Sequence, residues 1–438
     1  MEEQRRVKPR KRKMTKKRRR RIMRAWFFRI LFVLMILLAL FLVVSGVRFV
    51  VKGVSHLFGH EDSGQEEVVD VQGFVVTDED GNPILDENGD PVYATDENGE
   101  VLKETEVSSE PVITTLTLTA TGDCTLAKTQ AQSYDGSFYE YYDSYGADWF
   151  FDGVRDIFSQ DDLTLINLEC VLTDTDERVD KEFNLKGKPE YTAIMTGSSV
   201  EAVSLGNNHS ADYGEQSTLD TEKYLDEAGI VWAIDQELGY YTTADGIKVG
   251  IVSKLIVTYT EEREQMLLDG IEELKANGAQ LIVACCHWGT EKEYYPNENQ
   301  KKVAHDLIDA GADLVIGNHP HVLQGVEVYN GKVICYSLGN FCFGGNKDPS
   351  DKNTMIYQQT FTFEDGVLQA EEEPEASIIP CKISSAAGYN DFQPTIATES
   401  KQSILDAVNE YSSVLGNVTF DADGTLVVGN DASEKLQQ

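Results

Sequence analysis

The order of apolar and polar residues along this chain predicts β-strands in several segments. Residues 113–120 (Ile-Thr-Thr-Leu-Thr-Leu-Thr-Ala) alternate with period two, which is typical of a strand that buries one face. We expect this strand to end at Gly122-Asp123. Short apolar runs predict further strands at 163–168, 200–205, 280–286 and 313–317.

Helix and turn signals fall between these strands. A stretch that follows His209 and extends to Ala228 is predicted to form a helix, as are residues 301–310, and Gly229 and Gly311 are typical helix stops. The Asp245-Gly246 and Asn330-Gly331 pairs are typical of hairpin turns. Because strands alternate with helices and the hairpins add antiparallel strands, we predict a layered α/β (α+β) domain.

We predict that this domain spans residues 113–390. A helix-like segment at 403–412 and a hairpin at Asp423-Gly424 would form a C-terminal extension, residues 391–438. The acidic segment 51–112 contains a short degenerate repeat with Asn-Gly and Asp-Gly turns. No repeat completes a 12-residue calcium loop, so we interpret this segment as a solvated stalk or linker.

An uncharged apolar run covers residues 30–47, which is near the ~20 residues that a membrane-spanning helix needs. Trp26, Phe27 and Phe28 precede it and suit a membrane interface. A cleavable signal peptide is the alternative, but the run is long and no small-x-small cleavage site follows it. We predict a basic cytoplasmic arm (1–25), a single-pass transmembrane anchor (26–50) and an extracytoplasmic main domain.

The charge distribution excludes one class of partner. Residues 1–29 carry a net charge of +13, so the net charge of −36 leaves −49 for the rest of the chain. This strongly acidic part of the chain would repel the phosphates of nucleic acid, and we predict no nucleic-acid partner. The seven cysteines show no disulfide framework and no Cys-x-x-Cys metal motif, so we predict core positions and no required disulfide.

Polar residues with metal-binding chemistry follow the predicted strands. They are Asp123, Glu169, Asn208, His209, His287, His319 and His321. A lone Asp after a strand is often a helix cap, and a lone His is often a satisfied polar residue. Their joint occurrence favours a site, because packing does not require polar residues at five strand ends. His305 lies inside a predicted helix, and we assign it a structural role.

This set of ligands predicts a divalent metal site. Carboxylate, amide and imidazole groups together suit Mn, Fe or Zn. Two metal ions that share a bridging carboxylate are a familiar arrangement for phosphate-ester hydrolysis. The sequence therefore predicts one or two divalent ions at these strand ends.

Six motifs, in order along residues 113–385, resemble those of the CapA family of capsule-synthesis proteins associated with poly-γ-glutamate. They are Gly122-Asp-Cys-Thr-Leu126, Asn167-Leu-Glu169, Asn207-Asn-His-Ser-Ala-Asp-Tyr-Gly214, His287-Trp-Gly-Thr-Glu291, Gly317-Asn-His-Pro-His-Val-Leu-Gln324 and Tyr336-Ser-Leu-Gly-Asn-Phe341. The resemblance implies a fold similar to calcineurin-like metallophosphoesterases, with two packed β-sheets flanked by helices.

The resemblance also implies roles for single residues. Asp123, Glu169, Asn208, His287, His319 and His321 would be metal ligands, with Glu169 in the bridging position. His209 would be the catalytic acid. Apart from the resemblance, we expect Asp212 or a backbone carbonyl to orient His209, although an Asp just before a helix is also a good cap. The chain departs from the wider pattern at Thr125, where a histidine is expected, and at Glu169, where an aspartate is expected.

The predicted function is that of a membrane-anchored, CapA-like, metal-dependent hydrolase or transferase. It would act in the synthesis, export or attachment of an anionic polymer such as poly-γ-glutamate, or on a phosphorylated cell-surface substrate. Lys186 could meet an anionic substrate, although we favour the alternative that it belongs to an ordinary surface loop. The alternative is a non-catalytic metal-binding or scaffold subunit that holds the polymer or membrane-bound synthase subunits in place.

Overall fold

The structure of the protein, a computed structural model, describes residues 68–69, 76–77, 111–370, 373–416 and 418–429. The chain divides into a unit of residues 1–108 and a unit of residues 109–438. In the first unit, Val68–Val69 (β1) pairs antiparallel with Val76–Thr77 (β2). Within the described ranges, no helix has the length and apolar character needed to span a bilayer. The predicted arm and anchor lie outside the described residues.

The second unit contains the strands of the main domain. They are β3 (Ile113–Thr125), β4 (Lys128–Thr129), β5 (Leu163–Leu168), β6 (Val171–Leu172), β7 (Leu185–Gly187), β8 (Ala202–Ser204), β9 (Val231–Ala233), β10 (Gly239–Thr242), β11 (Lys248–Leu255), β12 (Leu281–His287), β13 (Leu314–Asn318), β14 (Val326–Tyr329), β15 (Lys332–Cys335), β16 (Asn340–Phe343), β17 (Asn353–Glu364), β18 (Val367–Leu368), β19 (Glu375–Lys382), β20 (Thr395–Ile396), β21 (Val418–Phe420) and β22 (Leu426–Val428).

The helices of this unit lie between the strands and near the C-terminal end. They are α1 (Phe138–Tyr145), α2 (Arg155–Phe158), α3 (Thr192–Thr196), α4 (Gly214–Ala228), α5 (Glu261–Ala276), α6 (Glu298–Ala310) and α7 (Lys401–Ser412), with short 3-10 helices at Ala147–Trp149 and Pro189–Tyr191.

Two large sheets form the domain. The nine-stranded sheet has the order β20-β19-β17-β3-β5-β8-β9, with β16 paired to β3 and β18 to β17. The six-stranded sheet has the order β10-β11-β12-β13-β15-β14. Each sheet contains four neighbouring parallel strands, namely β3, β5, β8 and β9 in the first and β11, β12, β13 and β15 in the second. Parallel neighbours bring their carboxyl ends to one edge of a sheet, where binding sites are usually built.

The two sheets pack face to face on a shared core. Side chains alternate along β12, so that Leu281, Val283 and Cys285 enter the core shared with β3 and β5. The intervening residues Ile282, Ala284 and Cys286 pack instead with apolar residues of α5 and α6 on the outer face. The predicted α/β domain with several sheets and helices is confirmed.

Local turn and cap signals were reliable predictors. Both predicted hairpins are present, as the antiparallel pairs β10–β11 and β14–β15. Gly229 and Gly311 end α4 and α6 in left-handed conformations, at φ of 74° and 103°. Helix α6 begins earlier than the predicted residue 301, at Glu298, because Asn297 and Gln300 form a reciprocal capping box.

The remaining local predictions concern cysteines and the chain after residue 390. All seven cysteines are buried and free, which confirms their predicted role as core residues. The predicted C-terminal helix and hairpin are present as α7 and β21–β22. Strand β20 pairs with β19, so the nine-stranded sheet continues beyond residue 390.

Candidate metal centre

The predicted site residues come together at the carboxyl ends of strands from both sheets. Asp123 lies near the end of β3, Glu169 directly follows β5, and His287 is the last residue of β12. Residues 207–209 follow β8, and residues 319–321 follow β13. Glycine is required beneath this cluster, because a Cβ on Gly122 would lie 2.0 Å from the Gly339 carbonyl oxygen. The close approach aligns Asp123, whose N–H donates to that carbonyl at 2.8 Å.

Glu169 is at the middle of the cluster. Its Oε1 atom lies 3.5 Å from His287 Nε2, 3.7 Å from His321 Nε2 and 4.0 Å from His209 Nε2. The residue is fully buried, and Oε1 has no hydrogen-bond partner among the described residues. Burial raises the pKa of Glu169 to about 7, and the charge of Asp123 adds to the rise, although the charge of His321 opposes it. A carboxylate oxygen so placed is suited to a cation.

His321 is held by its other ring nitrogen. Nδ1 lies 2.9 Å from Asn340 Oδ1 and 3.2 Å from Asp123 Oδ2, so it carries the proton shared between these two acceptors. Burial disfavours the imidazolium, but the Glu169 and Asp123 carboxylates outweigh it and raise the pKa of His321 to about 10, so a divalent cation bound at Nε2 would displace a proton from this ring. The two acceptors of Nδ1 fix the ring so that Nε2 faces Glu169. Hydrogen bonds to the second ring nitrogen commonly orient metal-binding histidines in this way.

Both carboxylate oxygens of Asp123 accept hydrogen bonds from neighbouring donors. Oδ1 accepts from Asn167 Nδ2 at 2.7 Å, and Oδ2 accepts from the His319 N–H at 3.2 Å as well as from His321. Burial alone would raise the pKa of Asp123, but the hydrogen bond and charge of His321 and the charge of His287 lower it to about 2. Asp123 is therefore ionised, and its hydrogen bonds join β5, which precedes Glu169, to the loop that carries His319 and His321.

Three residues bring their ligand atoms close enough together to hold one cation. Glu169, His319 and His321 each offer a ligand atom, and these atoms all lie within 4.8 Å of one another. His287 borders this set, because its Nε2 lies 3.1 Å from His319 Nδ1. Imidazole nitrogens bind zinc at about 2.0–2.1 Å, so donor atoms about 3–4 Å apart can share one ion. The donor set of one carboxylate and several imidazoles fits Mn, Fe or Zn.

The loop that carries two of these histidines is strained. His319 has φ of 99° and His321 has φ of 57°, in the left-handed region that non-glycine residues rarely adopt. His319 also precedes Pro320, which ordinarily requires an extended conformation. Strain of this kind costs about 1–3 kcal/mol per residue and is concentrated at functional sites.

The second part of the site is the Asn208–His209 pair. His209 Nδ1 lies 2.6 Å from Asp212 Oδ2, and the other ring nitrogen, Nε2, faces Glu169. Asp212 does not cap α4, for which no side-chain cap is present. Asn208 Oδ1 is buried without a hydrogen-bond partner among the described residues, so this amide oxygen is also suited to a cation.

Thr125 and Lys186 differ in whether they contact the predicted ligands. Thr125 donates from its hydroxyl to Glu169 Oε2 at 3.4 Å, so it contacts the centre where the wider pattern has a histidine. Lys186 pairs with Asp176 Oδ1 at 2.6 Å and lies over the Tyr213 ring at 5.2 Å. The Lys186 ammonium therefore lies outside the group of ligands, and its substrate contact stays a prediction.

Sequence reasoning missed the residues that support the ligands. Asn167 and Asn340 stand within the quoted motifs but had no assigned role, and their partners Asp123 and His321 are visible only in three dimensions. Lys181 contacts both Asp212 and His209, yet it stands in a charged stretch that resembles any exposed loop. The helical His305 pairs instead with Glu327 at 3.0 Å, in keeping with a structural role.

Comparison with known proteins identifies similar chains. The family model of the bacterial capsule synthesis protein PGA_cap matches residues 117–345. The PGA biosynthesis protein CapA of Bacillus subtilis is 32% identical over 219 residues, which are 45% of this chain and 57% of the relative. The capsule biosynthesis protein CapA of Bacillus anthracis is 30% identical over 253 residues, 52% of this chain and 60% of the relative.

A mycobacterial relative extends the comparison. A probable polyglutamine synthesis accessory protein of Mycobacterium tuberculosis is 29% identical over 231 residues, 45% of this chain and 60% of the relative. The matches therefore span about three fifths of the length of these curated relatives. The region of similarity to PGA_cap includes every predicted ligand from Asp123 to His321.

Proposed function

This chain belongs to the PGA_cap family of bacterial capsule synthesis proteins, and on that premise we propose that it is a metal-dependent hydrolase or transferase of capsule assembly. Its substrate would be an anionic cell-surface polymer such as poly-γ-glutamate, or a phosphorylated precursor of that polymer. The names of its relatives support this substrate class, because they refer to PGA, capsule and polyglutamine synthesis.

One observation carries the proposal of a metal centre. The buried Glu169 Oε1 lacks a hydrogen-bond donor among the described residues and faces three imidazole nitrogens at 3.5–4.0 Å. Burying a carboxylate without a partner is costly. Glu169, His319, His321 and His287 would hold the cation, and Asn208 Oδ1 would complete the donor set. Such an ion supplies Lewis-acid polarisation of a substrate oxygen and a lowered pKa of water.

The residues of the chain supply proton transfer and orientation. His209 would donate a proton from Nε2 to the leaving atom, because Nε2 is the ring nitrogen that faces the centre. Asp212, at 2.6 Å from Nδ1, would hold the ring in this orientation. Asp123 would hold His321 through Nδ1, while Asn167 holds Asp123.

The location of the protein is part of the proposal. The basic arm, the apolar run at 30–47 and the acidic remainder support a single-pass anchor at 26–50 with the main domain outside the cytoplasm. Protease added to intact cells should then release the acidic domain. Full protection of that domain would contradict the external location.

A non-catalytic role is the second candidate, and Thr125 favours it. A hydroxyl at 3.4 Å from Glu169 Oε2 stands where a stronger imidazole ligand is expected in the wider pattern. In that case the centre would bind metal and hold the polymer or synthase subunits without turnover.

Turnover assays separate the two candidates. The full-length chain, loaded with Mn²⁺, should hydrolyse a chromogenic p-nitrophenyl phosphodiester or shorten poly-γ-glutamate chains. The Glu169→Gln variant and the chelator-treated parent should do neither. If the parent retains metal but acts on neither substrate, the enzymatic proposal fails and the non-catalytic role is favoured.

A further inference from the structure

Lys181 turns inward from an otherwise exposed segment. Its neighbours Asp180 and Glu182 are exposed, whereas Lys181 is half-buried. The Lys181 ammonium lies 2.7 Å from Asp212 Oδ1, 2.7 Å from the Asn208 carbonyl oxygen and 3.1 Å from His209 Nδ1. One lysine therefore contacts all three residues of the Asn208–His209–Asp212 group, and no sequence motif or relative named above assigns it a role.

The segment around Lys181 is fastened to Asp212. The Val179 N–H donates to the Asp212 carbonyl oxygen at 2.9 Å, and Asn184 Nδ2 donates to the same oxygen at 3.0 Å. The Leu185 N–H donates to Asp212 Oδ2 at 2.6 Å. Asp212 is 1% exposed, and Lys181 provides its only ion pair with a lysine or arginine among the described residues. Removing the ammonium would leave a buried carboxylate without its cation, which is strongly unfavourable.

The contact between Lys181 and His209 acts through Asp212. His209 Nδ1 lies within hydrogen-bond distance of the Asp212 carboxylate and therefore carries a proton. The Lys181 ammonium and that N–H are both donors, so the two groups share Asp212 as an acceptor rather than bonding to each other. Lys181 also binds the Asn208 backbone directly, which fixes the peptide that precedes His209.

We infer that Lys181 is a positioning residue, which clamps the Asn208 carbonyl and the Asp212 carboxylate so that His209 Nε2 is directed toward Glu169. The catalytic consequence rests on the proposed function, whereas the effect on the His209 ring does not. A lysine that served only to anchor the loop would affect stability and leave the orientation of His209 unchanged.

The first test needs neither metal nor turnover. Ring ¹H–¹⁵N NMR signals of His209, assigned with a His209→Gln variant, would be compared in the metal-free parent, Lys181→Met and Lys254→Met. Lys254 is a matched control, because it is buried and ion-paired with Asp235 at 2.5 Å. We expect Lys181→Met to shift or broaden the His209 signals and Lys254→Met to preserve them. Unchanged His209 signals in Lys181→Met overturn the inference.

The second test uses two leaving groups. Phenolate needs a proton on departure much more than p-nitrophenolate does, so misplacing His209 should affect the phenyl ester more. For Lys181→Met we expect about a 10²-fold loss of kcat on a phenyl phosphodiester. The loss on the p-nitrophenyl ester should be less than about tenfold, with unchanged metal content. Lys181→Arg should recover part of the phenyl-ester rate, since it retains a charged donor to Asp212.

The outcomes of the two tests separate the two proposals. Equal losses on both esters, or no loss, overturn the positioning role. A parent that hydrolyses neither ester and does not shorten poly-γ-glutamate contradicts the proposed function. Whenever neither ester is hydrolysed, the NMR comparison decides the role of Lys181 by itself. If Lys181→Met does not fold, Lys181→Gln provides the same comparison with a polar side chain that lacks the charge.

Discussion

His287 Nε2 lies 3.1 Å from His319 Nδ1, although one ring ends β12 and the other follows β13. Burial lowers the pKa of each ring to about 3, and the charge of His321 contributes to both shifts. Both rings are therefore neutral at pH 7, which is the form of imidazole that binds a divalent cation. The adjacent parallel strands thus bring together two ligands that lie 32 positions apart in the sequence.

The backbone strain at His319 predicts an unusual order of stabilities. In the metal-free protein, His319→Gly should be more stable than His319→Ala by about 1–2 kcal/mol, because glycine adopts φ of 99° without a Cβ clash. Urea unfolding measures the difference. At His305, inside α6, the order should reverse, since glycine costs about 1 kcal/mol relative to alanine in a helix. Equal stabilities of the two His319 variants would show that the strain is not significant.

Replacing His209 should separate chemistry from metal binding. His209→Gln should lower kcat by about 10²–10⁴-fold, because the proton donor is lost. Its metal content should match that of the parent, since the ligand residues remain. Steady-state kinetics and metal analysis on one preparation provide the comparison. A fall in kcat that merely follows a fall in metal content would argue against a proton-donor role.

A carboxyl group away from the centre predicts a pH-dependent stability. Burial raises the pKa of Glu201 to about 7, and the charge of Asp161 adds to the rise, whereas the Thr164 N–H opposes it. Protonation is therefore favoured in the folded state. The stabilising contribution is fully present below the ordinary pKa of 4.5 and is lost as the pH rises through about 7.

Glu201→Gln should remove this contribution while keeping an acceptor for the Thr164 N–H. The free energy of unfolding of the variant minus that of the parent should be about 1 kcal/mol higher at pH 8 than at pH 4.5. The variant is then relatively more stable at the higher pH. This value includes a reduction for solvent screening, because the side chain is only half-buried. Urea titrations at the two pH values test this, and a difference independent of pH would contradict it.

The sequence predicted the elements whose signals are local. The Asp245-Gly246 and Asn330-Gly331 turns and the stops at Gly229 and Gly311 depend on backbone conformations that few other residues adopt. The length of β3 was not predictable in this way. It continues to Thr125, two residues beyond Asp123, because the distant β16 pairs with its end.

The ligands of the candidate site were predictable, but their supports were not. Imidazole and carboxylate groups at several strand ends are unusual in a sequence, whereas Lys181 is one charged residue among many. Its inward direction depends on hydrogen bonds between residues 179–185 and Asp212, which no local pattern encodes. The same is true of Asn340, which the pairing of β16 with β3 places beside His321.

The number of metal ions held per chain tests most directly whether Glu169 belongs to a metal centre. The purified full-length chain would be saturated with Mn²⁺, dialysed against metal-free buffer and analysed by mass spectrometry, beside Glu169→Gln and the control His305→Gln. We expect at least about one tightly held ion per chain in the parent and the control. We expect a marked loss of bound ion in Glu169→Gln. Less than about one ion in the parent, or equal retention by Glu169→Gln, would contradict a metal centre built around Glu169.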